Sequence, residues 1–351
     1  MKSITASTYT IHFNDFGYQQ LAAFISEKKY SSVFLLVDEN TNTHCAPLFL
    51  SKLATTLPVE IVEIEAGETH KNMDTCLGVW NVLTELQADR HSLLLNLGGG
   101  VVTDLGGFVA SCFKRGVDFV NIPTSLLGMV DAAIGGKTGI DLGVLKNQIG
   151  LFSEPEMVLV DADFLHTLPT RELKSGTAEI LKYGLTADAA MYQQVRDGEK
   201  ALFTDFIHRS IAIKNNIVLS DPTEKNTRKI LNFGHTLGHA IESYFLASDR
   251  SSLTHGEAIA IGMVCECYLS SQLLNLPLEL LQDIKNTVLK IYPKVAIEQT
   301  EFEDIFAFLK HDKKNTGGQV HFVLLSALEK PHLDCIVPKE LLTKSLQFYL
   351  T

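Results

Sequence analysis

The stretch Ser92-Leu-Leu-Leu-Asn-Leu-Gly-Gly-Gly-Val-Val-Thr-Asp-Leu-Gly-Gly-Phe108 decides the fold class of this 351-residue chain. It opens with a short, mainly apolar run, which is typical of a strand buried on both faces of a parallel sheet. Three glycines at 98–100 end the run, and the residues from Asp104 to Cys112 have the pattern of a helix. A buried strand, a glycine turn and a helix in this order predict one β–α unit of an α/β domain.

Further strands are expected on both sides of this unit. Residues 32–37, 59–64 and 157–161 have the length and composition of strands, and residues 72–88 carry apolar positions at helical spacing. This alternation predicts a mostly parallel sheet. Ligands bind such sheets at the carboxyl ends of the strands, so function is expected in the loops that follow them.

The glycine turn at 98–100 suits a dinucleotide. A backbone without side chains lets a pyrophosphate approach closely, and the start of a helix offers N–H donors. Thr103 stands where the G-x-G-x-x-G signature needs its last glycine, so a packing turn without a ligand is the alternative. Asp38 and Glu68 follow two other strands, and each is either an acceptor for a ribose hydroxyl or an ordinary solvated acid.

A second glycine-containing loop carries basic residues. Gly135-Gly-Lys-Thr138 resembles the end of a P-loop, but Asp131 stands where the first glycine of that motif belongs. The P-loop interpretation is therefore excluded. Lys137, Lys146 and Asn147 lie close together in this loop, and the pattern favours an anion pocket over simple solvation.

Histidines concentrate in one later region of the chain. His235 and His239 are four residues apart, which puts both imidazoles on one face of a helix, and His255 follows. Far upstream, Glu179 precedes Lys182 by one helical turn. Two histidines and a carboxylate, with one position left open, form the ligand set of a catalytic zinc. Spacing leaves open which two histidines bind, and it also allows ordinary packed histidines.

The composition limits the classes of partner. A net charge of −11 argues against nucleic acid as a general partner, although a local basic pocket can still bind a small phosphorylated substrate. With no apolar run of membrane-spanning length and no signal peptide, we expect no membrane association. The six cysteines contain no C-x-x-C pair, which predicts reduced thiols in the cytoplasm.

The second half of the chain is predicted to be mainly helical. The boundary is placed near residues 160–168, which gives an α/β domain at 1–165 and a mainly helical domain at 166–351. The tail includes one short predicted strand at 320–325. The predicted helices of the second domain are residues 171–197, 205–219, 226–247, 256–275 and 277–290.

Eight motifs, in this order, resemble the 3-dehydroquinate synthase family within the sugar phosphate cyclases. The similarity runs from about Asp38 to Lys314, most of the chain. The motifs are Gly-Glu-x-x-Lys at 67–71, Gly-Gly-Gly-Val-Val-Thr-Asp at 98–104, Lys-Arg-Gly-Val at 114–117, Gly-Gly-Lys-Thr at 135–138, Ala-Glu-Ile-Leu-Lys-Tyr-Gly at 178–184, Leu-Asn-Phe-Gly-His-Thr-Leu-Gly-His at 231–239, His-Gly-Glu-Ala at 255–258 and Asp-Lys-Lys at 312–314.

The resemblance implies a fold and a reaction. The fold is an α/β amino-terminal domain with a mostly parallel sheet and a nucleotide-binding turn, followed by an all-α carboxyl-terminal domain. The reaction converts 3-deoxy-D-arabino-heptulosonate 7-phosphate to 3-dehydroquinate and phosphate, in the shikimate pathway of aromatic amino acid biosynthesis. The steps that the resemblance implies are transient oxidation by NAD, phosphate elimination, re-reduction and intramolecular aldol closure. Tightly held NAD, a Zn²⁺ or Co²⁺ ion and a homodimer are also implied.

The resemblance further assigns roles to residues. Glu179, His235 and His255 match the metal ligands, whereas His239 matches an acid–base residue and Glu224 a proton acceptor. The residues that match NAD contacts are Asp38, Asn40, Glu68, Lys71, Gly99, Gly100, Val101, Asp104, Thr124, Ser125, Lys146, Leu165 and Thr167. Those that match substrate contacts are Arg115, Asp131, Lys137, Asn147, Lys182, Lys214, Arg228, Asn232 and one of the pair Lys313 and Lys314.

Two departures from the family pattern affect loop geometry. Leu145 stands where glycine is frequent, and Ser125 where threonine is usual. Three rivals stay open: a cyclase acting on sedoheptulose 7-phosphate or glucose 6-phosphate, a metal-dependent polyol dehydrogenase, and a non-catalytic relative. The residues that together favour a carboxylate-bearing substrate are Lys214, Arg228, Asn232 and His239.

Overall fold

The computed structural model describes residues 1–198, 203–248, 250–310 and 319–351. Lys313 and Lys314, one of which the resemblance assigns to the substrate, therefore lie outside the described residues. The chain forms two compact units. Unit 1 comprises Met1–Leu173 and Ile207–Leu219, and unit 2 comprises Lys174–Phe206 and Ser220–Thr351. The predicted boundary after residue 165 divides the chain only once, whereas Ile207–Leu219 also belongs to unit 1.

Unit 1, all of whose residues are described, is built around a seven-stranded sheet and a separate hairpin. Its strands are β1 (Ile4–Thr5), β2 (Thr10–Phe13), β3 (Ser32–Asp38), β4 (Val59–Ile64), β5 (Ser92–Gly98), β6 (Asp118–Pro123), β7 (Lys137–Leu142), β8 (Leu145–Phe152) and β9 (Met157–Val160). The α-helices of its first 112 residues are α1 (Asn14–Lys28), α2 (Glu39–His44), α3 (Ala46–Lys52), α4 (Met73–Glu85) and α5 (Gly100–Cys112).

The sheet is parallel except at one edge. The strand order is β1-β2-β9-β6-β5-β3-β4, and only β1 and β2 pair antiparallel. β7 and β8 form the antiparallel hairpin. The predicted α/β domain with a mostly parallel sheet is confirmed. The loops after β3, β4, β5, β6 and β9 all leave the same edge of this sheet, because parallel strands end on one side.

Helix α5 packs directly on the centre of the sheet. It starts at Gly100 rather than near Asp104, so the glycine turn itself forms the helix start. A Cβ at Gly106 would lie 2.1 Å from the Asn96 side-chain oxygen, and a Cβ at Gly107 would lie 2.5 Å from a Thr138 methyl group. These two glycines provide the close helix–strand approach that the last glycine of G-x-G-x-x-G gives in other folds.

Unit 2 is mainly helical but contains a hairpin. Strand β10 (His321–Ala327) begins one residue after the start of the strand predicted at 320–325, and β11 (Lys330–Ile336) pairs with it antiparallel. The helices that lie in unit 2 are α6 (Thr170–Thr186, whose first turn belongs to unit 1), α7 (Ala189–Asp197), α9 (His235–Ala247), α10 (His255–Leu273), α11 (Leu278–Ile291), α12 (Phe302–Leu309) and α13 (Lys339–Leu350), while α8 (Phe203–Ser220) belongs mostly to unit 1.

Two long helical segments expected from periodicity are interrupted. The segment 171–197 divides into α6 and α7 because the Asp188 side chain accepts from the Met191 N–H and caps a new helix. The segment 226–247 divides because Gly234 adopts a left-handed φ of 78°, which separates a 3-10 turn at Thr227–Asn232 from α9.

Helices α9 and α10 pack with their backbones in contact. A Cβ at Gly262 would lie 2.0 Å from the Gly234 carbonyl oxygen and 2.8 Å from the Gly238 nitrogen. Both neighbours are backbone atoms, so neither can turn away as a side chain can. The two helices can reach this separation only because a glycine occupies position 262.

Gly262→Ala is therefore expected to separate α9 from α10 and destabilise the protein by about 2–4 kcal/mol. Gly78→Ala is the matched control, because Gly78 is exposed within α4 and a Cβ there meets no atom within 4 Å. In a helix interior, this second change should stabilise by about 0.5–1 kcal/mol. Thermal unfolding followed by circular dichroism measures both, and equal effects of the two changes would contradict the packing argument.

In the part of the chain that the structure describes, no helix combines the length and apolarity needed to cross a bilayer.

Candidate metal centre and cofactor edge

A carboxylate and two imidazoles meet in unit 2. Glu179 on α6 is completely buried. Its Oε1 lies 3.4 Å from the Nε2 atom of His235 and 3.4 Å from that of His255. Lys182, one turn further along α6, contacts the other carboxylate oxygen. Residues from three helices are thus brought to one point although they are far apart in the sequence.

The two imidazoles are held in a definite orientation by their other nitrogens. His235 Nδ1 lies 3.0 Å from the Phe233 carbonyl oxygen, and His255 Nδ1 lies 3.1 Å from a carboxylate oxygen of Glu242. Both partners accept hydrogen bonds, so each Nδ1 carries a proton and donates. The Nε2 atoms therefore face Glu179 and would be the ligand atoms of a bound metal, which is the usual arrangement of histidines that bind a metal.

His239 belongs to the same cluster. One nitrogen from each of His235, His239 and His255 lies within 4.8 Å of the others. The His239 ring centroid is 5.2 Å from that of His235 and 5.7 Å from that of His255. Proximity alone therefore does not separate the ligands from the acid–base residue. The assignment of His239 to acid–base chemistry stays a prediction from the resemblance.

Charge within the cluster keeps Glu179 ionised. Burial raises the pKa of this carboxyl, but Lys182 and His235 outweigh burial and hold the pKa well below its ordinary value. Burial and the Lys182 charge lower the pKa of His235. Burial also opposes charge on His255, but Glu242 and Glu179 prevail and raise its pKa to about 10. A metal that binds this imidazole must therefore displace a proton.

The donor set fits a divalent metal. Among the described residues, neither oxygen of the buried Glu179 carboxylate takes part in a regular hydrogen bond. A buried anion in this state requires cations around it. One carboxylate and two imidazoles with fixed tautomers suit Zn²⁺ or Co²⁺ and leave coordination positions for a substrate.

The carboxyl edge of the sheet in unit 1 gathers the residues predicted to contact NAD. Helix α5 has Gly99 at its N-cap, with no side chain capping it. A Cβ at Gly99 would lie 3.2 Å from Ser125 Oγ, and one at Gly100 would lie 3.1 Å from the Ala132 Cβ. The bare helix start, with Val101 in its first turn, suits an anionic pyrophosphate.

Other predicted NAD contacts follow neighbouring strands. Asp38 ends β3 and caps α2, where its Oδ1 accepts from the Thr41 N–H at 2.7 Å, and exposed Asn40 lies in that helix. Capping gives Asp38 a structural role of its own. Thr124 follows β6, and Leu165 and Thr167 follow β9.

A buried thiol joins two of these loops. The hydroxyl groups of Thr124 and Thr167 both hydrogen-bond to Cys45, and burial raises the pKa of this thiol to about 11. The thiol is therefore neutral and packs the loop after β6 beside the loop after β9.

A network of charged side chains joins the loop after β4 to helix α5 and strand β8. Lys71 is almost fully buried, and its Nζ donates to Asp104 and to Asn147 Oδ1, each at 2.7 Å. Burial lowers the pKa of Lys71, but Asp104 and Glu68 outweigh burial and raise it. Glu68 also contacts Lys146. The structure thus unites four predicted NAD contacts with one predicted substrate contact.

The remaining predicted substrate contacts are distributed over both units. In unit 1, Lys214 Nζ donates to the Asp131 carbonyl at 2.7 Å and to its carboxylate at 2.8 Å. Half-buried Lys137 is the first residue of β7. Arg115 is exposed in the turn before β6, at the opposite edge of the sheet from the glycine turn.

In unit 2, the predicted proton acceptor meets a predicted substrate contact. Glu224 Oε1 accepts from Asn232 Nδ2 at 2.7 Å. Arg228 is almost fully buried and donates to the Pro222 carbonyl at 2.6 Å. Asp221 accepts three backbone N–H bonds from this loop, including that of Arg228.

Sequence reasoning did not find several carboxylates that support these sites. Asp141 accepts from the Asn147 N–H at 2.6 Å and lies 3.3 Å from Lys146 Nζ. Glu242 holds His255, and fully buried Glu266 accepts N–H bonds at the start of α9. Only Asp141 had a local signal, because it lies in the same loop as Lys146 and Asn147.

Models of protein families match both halves of this chain. The model described as 3-dehydroquinate synthase N-terminal matches residues 61–175, and that described as 3-dehydroquinate synthase C-terminal matches residues 176–315. The chain belongs to the 3-dehydroquinate synthase family. A curated 3-dehydroquinate synthase of Parabacteroides distasonis is 40% identical over 335 residues, which are 94% of each protein.

Solved structures of sugar phosphate cyclases share the fold of this 3-dehydroquinate synthase family member. One is 2-deoxy-scyllo-inosose synthase complexed with carbaglucose-6-phosphate, NAD⁺ and Co²⁺, with a TM-score of 0.84 and 24% identity over 99% of this chain and 100% of that one. Another is the 2-epi-5-epi-valiolone synthase ValA of Streptomyces hygroscopicus with NAD⁺ and Zn²⁺, with a TM-score of 0.83 and 24% identity over 100% and 99%. At this identity they confirm the fold.

Proposed function

We propose that this chain converts 3-deoxy-D-arabino-heptulosonate 7-phosphate to 3-dehydroquinate and phosphate, with NAD and Zn²⁺ or Co²⁺ as cofactors. The observation that carries the proposal is the Glu179 carboxylate held between two oriented imidazoles, in a chain of the 3-dehydroquinate synthase family. Related cyclases with NAD⁺ and Co²⁺ or Zn²⁺ support the choice of cofactors. The proposal includes a cytoplasmic homodimer that acts in aromatic amino acid biosynthesis.

Glu179, His235 and His255 would hold the metal. When bound, the metal supplies a Lewis acid that polarises a substrate hydroxyl. Lys182 contacts Glu179 and is almost completely buried, so it adds a fixed positive charge beside the metal ligands. Such a charge orients an anionic substrate without reorganisation during the reaction.

The start of α5 and the loops after the parallel strands would hold NAD. When bound, NAD supplies a hydride acceptor that is restored within the same turnover. No side chain caps the start of α5 at Gly99, so its N–H groups can bind an anion. The Lys71 ion pair with Asp104 stabilises the loop beside this helix.

The polar residues would bind and protonate the substrate. Lys137, Asn147 and Arg115 suit the phosphate, whereas Lys214 and Arg228 suit the carboxylate and hydroxyls because of their positive charge. The Asn232 amide orients the Glu224 carboxylate. His239, beside the two metal-ligand histidines, would transfer a proton to or from the substrate. The carboxylate contacts distinguish this substrate from the phosphorylated sugars of other cyclases.

The direct test is phosphate release from 3-deoxy-D-arabino-heptulosonate 7-phosphate by the purified protein. Release is expected with NAD and Zn²⁺ present, should stop after treatment with a chelator and should return when the metal is restored. Glucose 6-phosphate and sedoheptulose 7-phosphate, which lack the carboxylate, should release little phosphate. No release from the heptulosonate with both cofactors present would refute the proposed activity.

The absorbance of NADH should show no net rise during this turnover. The physical reason is that the hydride removed from the substrate is returned before the product leaves. Absorbance and released phosphate are measured in the same sample, because an inactive protein would also give a constant absorbance. Constant absorbance supports the prediction only when phosphate is released. NADH accumulating in proportion to product would instead identify a polyol dehydrogenase.

A further inference from the structure

Glu242 contacts a proposed metal ligand but has no role in the reaction described above. It lies on α9, two turns after His235, and its side chain is only 8% exposed. Its carboxylate accepts from His255 Nδ1 at 3.1 Å, and His255 is the first residue of α10. A carboxylate on one helix therefore fixes the imidazole at the start of the other.

Glu266 makes the converse connection. It lies on α10 and is fully buried. Its Oε2 accepts from the Gly234 N–H at 2.7 Å, and its Oε1 lies 3.3 Å from the Leu237 nitrogen, which donates to it. Gly234 is the N-cap of α9 and has no side chain to cap the helix, and Leu237 lies in the first turn. Glu266 therefore replaces the missing cap and places a negative charge at the positive end of that helix.

We propose that Glu242 and Glu266 are positioning residues that form a reciprocal brace for the metal centre. Each of the two helices that begin with a histidine ligand supplies the carboxylate that fixes the start of the other. The proposal rests on the proposed metal site. It explains why two acids are buried next to a pair of helices whose backbones already touch at Gly262.

The two contacts act on different properties of the site. The Glu242 hydrogen bond fixes the His255 tautomer and ring and makes Nε2 a stronger electron donor, which strengthens metal binding. The Glu266 bonds fix the peptide groups around His235 and so set the direction from which its ring approaches. Since these N–H bonds go to a charged acceptor, they are stronger than bonds to a neutral one.

The experiment measures metal affinity, by chelator competition with Zn²⁺ and with Co²⁺, without reference to turnover. Glu242→Ala is expected to weaken binding by about 10–100-fold, and Glu242→Gln by less, because the amide oxygen can still accept. The visible absorption of bound Co²⁺ should shift in both variants. Glu303→Gln is the matched control, because Glu303 is an exposed carboxylate of unit 2 that pairs with Lys339, and it should leave affinity unchanged.

Glu266→Gln tests the other half of the brace. The amide can accept one of the two N–H bonds but not both, so metal affinity should fall together with the melting temperature of the metal-free protein. A lower melting temperature with unchanged affinity and spectrum would reduce Glu266 to a structural residue and overturn the reciprocal brace. Unchanged affinity in Glu242→Ala would also overturn it. If Glu242→Ala does not fold, Glu242→Gln, which keeps the volume, carries that part of the test.

Failure of the brace can be distinguished from failure of the metal site. A wild-type protein that binds neither ion overturns both proposals. A wild-type protein that binds Zn²⁺, with variants that bind it equally well, overturns only the brace.

Discussion

His255→Ala is expected to purify without metal, whereas His239→Ala should keep its metal and lose about 10²–10⁴-fold in turnover, the usual contribution of a general acid or base. Glu179 Oε1 lies 3.4 Å from the His255 Nε2 atom, and Glu242 fixes the other nitrogen of this ring. If Glu179, His235 and His255 are the ligands, removing this imidazole leaves one histidine and one carboxylate, which is too few protein ligands for stable Zn²⁺ binding.

Elemental analysis of both purified variants decides between the two roles. Phosphate release by His239→Ala, measured with excess Zn²⁺, separates a lost proton-transfer group from lost metal. Circular dichroism checks that each variant keeps its helices. Metal missing from His239→Ala but present in His255→Ala would exchange the assignments, which proximity within the histidine cluster permits.

The strands of unit 1 could be predicted because each carries its signal locally. The apolar run at 92–97 became β5, and the run at 32–37 became β3, each within one residue of its predicted end. Parallel packing buries both faces of these strands, so their sequences are mainly apolar. The glycine turn was found for the same reason, since its residues are adjacent in the chain.

Helix ends were harder to predict because apolar periodicity continues across them. The pattern of 226–247 continues through Gly234, and only the φ of 78° at that residue separates the 3-10 turn from α9. A single glycine is often tolerated inside a helix, so Gly234 alone does not predict the break. At the other break, the Asp188 side chain caps α7 within a segment whose apolar periodicity predicts one continuous helix.

The support of the metal centre could not be predicted from the sequence alone. Glu242 is seven residues from His235 but thirteen from the histidine that it contacts. Glu266 accepts N–H bonds from Gly234 and Leu237, at the start of a helix that begins 31 residues earlier in the chain. These contacts exist because α9 and α10 pack closely, which is a property of tertiary structure. Sequence spacing likewise left open which histidines bind, and the resemblance supplied that choice.

Arg115 is expected to act on the active site of a partner subunit. It lies before β6, and the predicted cofactor loops leave the far ends of β5 and β6, which run parallel in register. Five residue steps along β6 separate the two edges by about 17 Å. Within unit 1, an arginine at this position cannot reach the edge that carries Thr124.

The backbone around Arg115 supports a functional role for this turn. Lys114 has a φ of 48° and Arg115 a φ of 72°, and Gly116 continues with 111°. Two successive non-glycine residues with positive φ cost free energy, and such strain often occurs at functional sites. Arg115 is exposed in this turn. The planar guanidinium offers several N–H donors, which suit the phosphate of a substrate bound by the partner subunit.

Mixing Arg115→Ala with Lys182→Ala protomers tests this expectation. Each variant alone should be nearly inactive. If Arg115 acts across a two-fold interface, one site of every mixed dimer contains both native residues, so random exchange should restore about a quarter of the wild-type activity. Lys114→Ala, which changes the exposed neighbour, is the control and should retain activity without mixing. Mixed dimers that are shown to form, for example by native mass spectrometry, and that stay inactive would place the action of Arg115 within its own subunit.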